Sequence, residues 1–178
     1  MARGEVTGFV DESIRGQRYL ICCVLIPTNQ LSEVRSIVRQ FAGKKRRLHF
    51  RHESNQIRKS FLETVSSLKI ESFVIETRMR NGINSRTARA KCIEYLIRHV
   101  QGNQLASRLI IEDFSDSRSD LRLIQSVRTK NHVLNFEHQD GGVSPELWIA
   151  DAIAWATGHG PEWSSQVKGI LRDHFVIT

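Results

Sequence analysis

Gly8-Phe9-Val10-Asp11-Glu12-Ser13 is the stretch on which the reading of this chain turns. A polar turn follows it, Ile14-Arg15-Gly16-Gln17-Arg18, and then a nearly unbroken apolar run from Tyr19 to Ile26. Two strands joined by a short Gly-containing connection are the simplest reading. A run that is apolar at every position suits a strand buried on both faces, in the middle of a sheet, and its partner is then central too. A central strand ending in Asp11 and Glu12 needs compensation, because an unpaired buried carboxylate is costly. A divalent metal ion is one compensation. A turn with both acids in water is the alternative.

The 178 residues fit one domain, 1–178, with a substantial core. With 40% hydrophobic and 25% charged residues the chain is expected to be globular and soluble, not disordered. No apolar run approaches the roughly 18 residues of a membrane span, and Met1-Ala2-Arg3-Gly4-Glu5 has no signal-type segment. Cys22, Cys23 and Cys92 form neither a disulfide framework nor a zinc spacing. They read as small core residues in a reducing cytoplasm. A net charge of +7 favours a polyanionic partner, nucleic acid before membrane. A solvated basic surface is the bland alternative.

Along the chain, Leu31, Val34, Val38 and Phe41 fall on one helical face, and Gly43 ends that helix. The densest charge run, Lys44-Lys45-Arg46-Arg47, leads into Leu48-His49-Phe50-Arg51-His52. A second helix is expected from Glu53 to Leu68 and a third strand from Ile70 to Thr77. Ser85 is placed as the cap of a helix with Ala88, Cys92, Leu96 and Val100 inside and Arg86, Arg89, Lys91 and Arg98 outside. A fourth strand runs from Leu105 to Phe114, and Ser115-Asp116-Ser117 is a loop or helix start. Leu121, Ile124 and Val127 repeat at helical spacing, and Val133 to Phe136 is a short fifth strand. Pro145 opens a helix from Glu146 to Thr157. The tail from Trp163 has room for a last short helix and strand. Alternating strands and helices after an opening hairpin argue an α/β domain with a mixed sheet.

Three acidic features recur at element ends. Glu112 and Asp113 close the fourth strand as Asp11 and Glu12 close the first. Asp151 is the one charge in Leu147-Trp148-Ile149-Ala150-Asp151-Ala152-Ile153-Ala154-Trp155-Ala156, a helix apolar nearly all round and therefore buried on most faces. It needs a cation, a set of donors, or solvent in a cleft; a salt bridge to an arginine would also serve. If the first and fourth strands are neighbours, Asp11 and Glu112 face one another, and a helix packed on the sheet brings Asp151 alongside. Carboxylate oxygens converging in this way suit Mg²⁺ or Mn²⁺. Two such ions activate a water and stabilise the leaving oxygen in phosphodiester cleavage.

These segments, in this order, resemble the "domain of unknown function 3800" family of the RNase H-like superfamily. The likeness is carried by Phe9-Val10-Asp11-Glu12-Ser13, by Arg47-Leu48-His49-Phe50-Arg51 ahead of a helix, by Ile110-Ile111-Glu112 with Asp120 downstream, and by Leu147-Trp148-Ile149-Ala150-Asp151-Ala152. The family's opening motif reads Asp-Glu-Ser-Gly, where this chain has Ile14 in place of the glycine. The resemblance implies an RNase H-like mixed five-stranded sheet with helices on both faces and a metal-dependent nuclease site. In that frame Asp11, Glu112 and Asp151 are the metal ligands. Strand alternation sends Asp11 and Glu12 to opposite faces, so only one of them leads; Glu12 stays a secondary catalytic candidate. Asp113 stands to Glu112 in the same way. Asp120 matches a family position, though an Asp near a helix start also complements the helix dipole. His49 would polarise a phosphate or carry a proton, or would simply be satisfied by a backbone carbonyl.

The expectation is therefore a Mg²⁺- or Mn²⁺-dependent nuclease acting on DNA or RNA, with Lys44, Lys45, Arg46, Arg47 and Arg51 on the phosphate backbone. The alternative is a non-catalytic nucleic-acid-binding or protein-interaction module of the same fold, part of a defence or toxin-like system. No phosphate-binding glycine loop supports a phosphotransferase.

Overall fold

The opening hairpin forms where the apolar run demands it. The structure, a computed structural model, describes residues 5–113, 117–130 and 132–178. Strand β1 (Val6–Arg15) pairs antiparallel with β2 (Arg18–Pro27) from Val6↔Pro27 to Arg15↔Arg18. The two-residue connection is Gly16-Gln17, with Gly16 at φ 58°, the positive φ that tight hairpin turns require. The hairpin therefore continues past Ile14, which pairs with Tyr19 as a strand residue. Every residue from Tyr19 to Ile26 is buried, as expected of a central strand.

The sheet is built outward from that pair. β3 (Glu71–Arg78) pairs antiparallel with β2. β4 (Arg108–Glu112) lies parallel to β1, and β5 (Asn135–Gln139) lies parallel to β4. The expectation of five strands is corrected to six: the tail forms β6 (Leu171–Ile177), parallel to β3. The order is β5-β4-β1-β2-β3-β6. The fifth strand begins two residues later than expected, because Val133 is exposed and Asn135 takes the first pairing position beside Arg108. The fourth strand ends at Glu112; its expected end at Phe114, and the loop at 115 and 116, lie outside the described residues.

Helices cover both faces. On the face bearing Phe9, Cys22, Val74 and Ile110 pack α1 (Leu31–Arg39), α2 (Asn55–Ser67) and α5 (Leu147–Gly158), followed by the short α6 (Pro161–Ser164) with Trp163. On the face bearing Val10, Cys23, Phe73 and Ile111 pack α3 (Ser85–Gly102) and α4 (Ser117–Val127). Asn84, not Ser85, caps α3, its side chain accepting from Thr87 N at 2.9 Å. Pro145 lies in a turn just ahead of α5, where Trp148 N bonds Pro145 O and Ile149 N bonds Glu146 O, so the helix starts later than expected. In α4 the inward positions are Asp120 and Ile124, while Leu121 points to solvent. The three cysteines are free and buried. Among the described residues, no helix is long and apolar enough to cross a membrane.

Candidate active site

Register brings the first two acids together. Val10 pairs with Ile111 across the parallel β1–β4 junction, and Asp11 and Glu112 each stand one residue beyond that pair. Both emerge on the face that carries Phe9 and Ile110, since alternate residues of a strand share a face. Helix α5 crosses this face and is buried throughout except at Asp151. Asp11 is 5% exposed and Glu112 2%. Glu112 is the last residue of β4, whereas Asp11 lies inside β1: the expectation that Asp11 and Glu12 close the first strand is corrected, because the hairpin pairing carries β1 on to Arg15.

The three carboxylates are electrostatically strained. The Asp11 carboxyl is pushed well above its ordinary range, first by burial and then by the negative charges of Asp151 and Glu112. The Glu12 backbone N–H, donating to Asp11 Oδ1 at 2.7 Å, and Arg47 oppose that rise. Burial also raises Glu112 against the pull of Arg47, and raises Asp151 against the Phe50 N–H, which donates to Asp151 Oδ2 at 2.9 Å.

Arg47 is the cation of this cluster. Its Nη1 donates to Glu112 Oε1, and its Nη2 lies 3.9 Å from Asp11 Oδ2. Gly141 N also donates to Glu112 Oε1, at 3.4 Å. Within this cluster of described residues, Arg47 Nε and Glu112 Oε2 are buried without a partner. Among the described residues, no three His, Cys, Asp or Glu side chains are gathered, as they stand, into a set that would hold a metal ion. Glu112 is turned to Arg47 and Asp151 to the Phe50 amide. The donor chemistry itself fits a hard divalent cation: three carboxylates, one with a buried oxygen that has no other partner.

The remaining candidates divide around this point. Glu12 leaves the opposite face of β1, where its carboxylate meets Tyr19 Oη and Arg89 Nη1. Arg89 also grips Asp120, with Nη2 donating to Oδ2 at 2.6 Å, and His138 Nε2 lies 3.1 Å from the same oxygen. Arg89 was expected on the outer face of its helix; it is buried, and that expectation is corrected. Asp120 keeps a place in the first turn of α4, but the Arg89 and His138 contacts depress its carboxyl below the ordinary range in spite of burial. His49 is exposed, its ring meeting His52 edge-on at 5.9 Å, and its side chain makes no hydrogen bond among the described residues.

The basic run is engaged within the chain to a degree the sequence did not suggest. Lys45 Nζ bonds both oxygens of the buried Glu53 at 2.9 Å, and Arg46 Nη2 meets Asp140 Oδ1 at 3.1 Å. Lys44 makes no ion pair among the described residues. Open positive charge gathers instead in a cleft of about 610 Å³ beside Asp151, lined by Arg15, Arg51, His52, Arg58, Trp155 and His159, with Glu12 at its edge. Arg58 is held rigidly there. It donates to Phe50 O, Asn55 Oδ1 and Arg51 O, and its guanidinium lies 4.4 Å over the Trp155 ring. The His159 ring stacks on Trp155 at 3.7 Å. The sequence pointed to Arg51, and to Arg58 and Lys59 after it, as phosphate contacts; it gave no hint that Arg51 and Arg58 share a cleft with Arg15, Trp155 and His159, which come from the end of β1 and the end of α5.

With this geometry in place, the fold can be set beside known structures. The chain aligns over 92% of its length, and over 75% of the other chain, with the crystal structure of the ribonuclease H2 from Pyrococcus horikoshii OT3, at a TM-score of 0.51 and 13% identity. The fold is ribonuclease H-like. At that identity the likeness is one of architecture. No family model matches the chain, so the resemblance to the domain of unknown function 3800 family is not shown in that way, and no curated protein matches it. The sheet carries Asp11 on β1 and Glu112 on β4, helix α5 brings Asp151 against it, and the sixth strand is added at its β3 edge.

Proposed function

We propose that this chain is a divalent-metal-dependent nuclease that hydrolyses phosphodiester bonds of nucleic acid. Asp11, Glu112 and Asp151 would hold Mg²⁺ or Mn²⁺. The observation that carries the reading is the convergence of these acids on one face of the sheet, with Glu112 Oε2 buried and without a partner. A bound divalent ion supplies charge stabilisation to the reacting phosphate and lowers the pKa of water. The chain's own residues supply position. The Phe50 amide fixes the Asp151 carboxylate, the Glu12 amide fixes Asp11, and the Gly141 amide reaches Glu112. Arg15 and Arg51 in the neighbouring cleft offer positive charge to the phosphate backbone without reading bases. Glu12, the secondary catalytic candidate, stands apart from the three acids, since its carboxylate is committed to Arg89 and Tyr19 on the other face.

A specific observation favours the rival reading, a nucleic-acid-binding module without catalysis: Arg47 already pairs with Glu112 inside the acid cluster. Titration calorimetry with Mn²⁺ on the wild type and Asp151→Asn, beside a panel of DNA and RNA substrates in the same buffer, separates the two. Metal binding lost in the variant, together with metal-dependent cleavage, upholds the nuclease. Nucleic-acid binding with no metal binding moves the function to the module.

A further inference from the structure

Arg47 lies inside the acid cluster. It rises from the irregular segment between Ala42 and Phe50 and ends among the three candidate ligands, its side chain 20% exposed. One arm bonds Glu112, another faces Asp11 Oδ2 at 3.9 Å, and Nε is buried without an acceptor. A guanidinium that satisfies only part of its fork is poorly matched to its surroundings, because its five donors are fixed in one plane. Glu112 is mismatched in the same way, with Oε2 buried and bare. Each partner of this ion pair thus leaves one buried polar atom unsatisfied.

We propose that Arg47 is the resident counter-ion of the acid site and competes with the divalent cation for Glu112 and Asp11. The inference rests on the metal-dependent nuclease reading and adds a control to it. A divalent cation and a guanidinium repel one another, so a cation held through the free Glu112 Oε2 and through Asp11 would be bound less tightly while Arg47 stays on Oε1 and beside Asp11. Displacement of the Arg47 guanidinium would therefore favour a divalent cation at Asp11 and Glu112. Outside the acid cluster, the guanidinium is suited to pair with a phosphate of the bound strand, the anion its fork fits. Substrate and metal then favour the same displaced position of one side chain, and each strengthens the binding of the other.

Gly141 gives the means to move Arg47 without discharging it. A Cβ at Gly141 would lie 2.8 Å from Arg47 Nε and 2.9 Å from Cζ. The obstructing atoms are the far end of a flexible side chain, and Gly141 is not among the glycines at positive φ, so alanine is accommodated by swinging the guanidinium aside.

The test is calorimetric Mn²⁺ titration of wild type, Arg47→Gln and Gly141→Ala, each without and with a non-cleavable phosphorothioate oligonucleotide. Without the oligonucleotide, both variants are expected to bind Mn²⁺ about tenfold or more tightly than wild type, from the loss of one nearby positive charge in Arg47→Gln and its displacement in Gly141→Ala. The oligonucleotide tightens Mn²⁺ binding in wild type and has a smaller effect in Arg47→Gln. Thermal melting covers the event that Arg47→Gln folds poorly: its metal-free melting point falls, and Mn²⁺ raises it by more than in wild type. Mn²⁺ binding in wild type that is unchanged or weaker in both variants overturns the competition and leaves the nuclease reading standing. Absence of Mn²⁺ binding in all three proteins, with and without oligonucleotide, overturns both.

Discussion

Asp11 and Glu12 are joined by a 2.7 Å hydrogen bond from the Glu12 amide to the Asp11 carboxylate, yet their side chains leave the sheet on opposite faces. Asp11 enters a cluster of acids with one shared arginine. Glu12 enters a paired network in which Arg89 is the hub. One peptide step separates a destabilised carboxylate from a compensated one.

Asp11→Asn is expected to abolish metal-dependent cleavage while making the metal-free protein more stable, by on the order of 1–2 kcal/mol. The amide keeps an oxygen for the Glu12 N–H and removes the repulsion from Asp151 and Glu112. Urea unfolding and a cleavage assay on the same preparation check both halves. Retained cleavage would remove Asp11 from the metal set.

Arg89→Met is expected to cost about 3 kcal/mol or more, because Glu12 and the buried Asp120 lose their cation together. Mn²⁺ affinity, which belongs to the other face of the sheet, should stay within twofold. Denaturant unfolding and calorimetry on the folded variant check this; a large loss of metal affinity would tie the two faces together.

Glu76 gives a pH signature far from the acid site. The hydrogen bond from Arg18 Nε, at 2.7 Å, lowers its carboxyl below the ordinary 4.5 in spite of burial, with His174 assisting. A carboxyl whose pKa is lowered by folding adds stability above about pH 4.5, and that stability drains away as pH falls through the folded-state value. Melting curves of wild type and Glu76→Gln should therefore differ at pH 7 and converge toward pH 3. A gap that widens on acidification would contradict the assignment.

Nucleic-acid affinity should respond to the cleft more than to the basic run. In EDTA, which separates binding from cleavage, Arg15→Gln combined with Arg51→Gln is expected to weaken oligonucleotide binding and to reduce the salt dependence by about two units of slope. Lys44→Gln should change the slope by about one unit or less. Fluorescence anisotropy across a salt series reads both; equal effects would restore the run at 44–47 as the main contact.

What the sequence made legible was the part encoded by short-range pattern. The unbroken run Tyr19 to Ile26 announced a central strand, and an apolar helix with the single charge Asp151 announced an acid held against the core. The tail strand was foreseen only as a possibility, since Leu171-Arg172-Asp173-His174 has little apolar alternation. The burial of Arg89 was hidden by its charge. It heads the stripe Arg89, Ile93, Ile97 and Gln101, every member of which is buried beside the expected stripe of Ala88, Cys92, Leu96 and Val100. Two adjacent stripes make a broad inward face, and Ile93 with Ile97 was the available signal. The role of Arg47 was not legible at all, because its partners lie 36 and 65 positions away and meet only once β1 and β4 pair.

The sixth strand changes what the molecule presents to its own copies. Without residues 171–177, β3 would offer the backbone from Phe73 to Thr77 as an open flank, an apolar template for intermolecular pairing. With it, the outermost strand is Leu171-Arg172-Asp173-His174-Phe175-Val176-Ile177, whose first half is guarded by charge. Arg172 is tied to Glu71 and His174 to Glu76, so the guard is fastened at two points. The last strand is thus a seal against self-association, and its loss would show first as a fall in solubility.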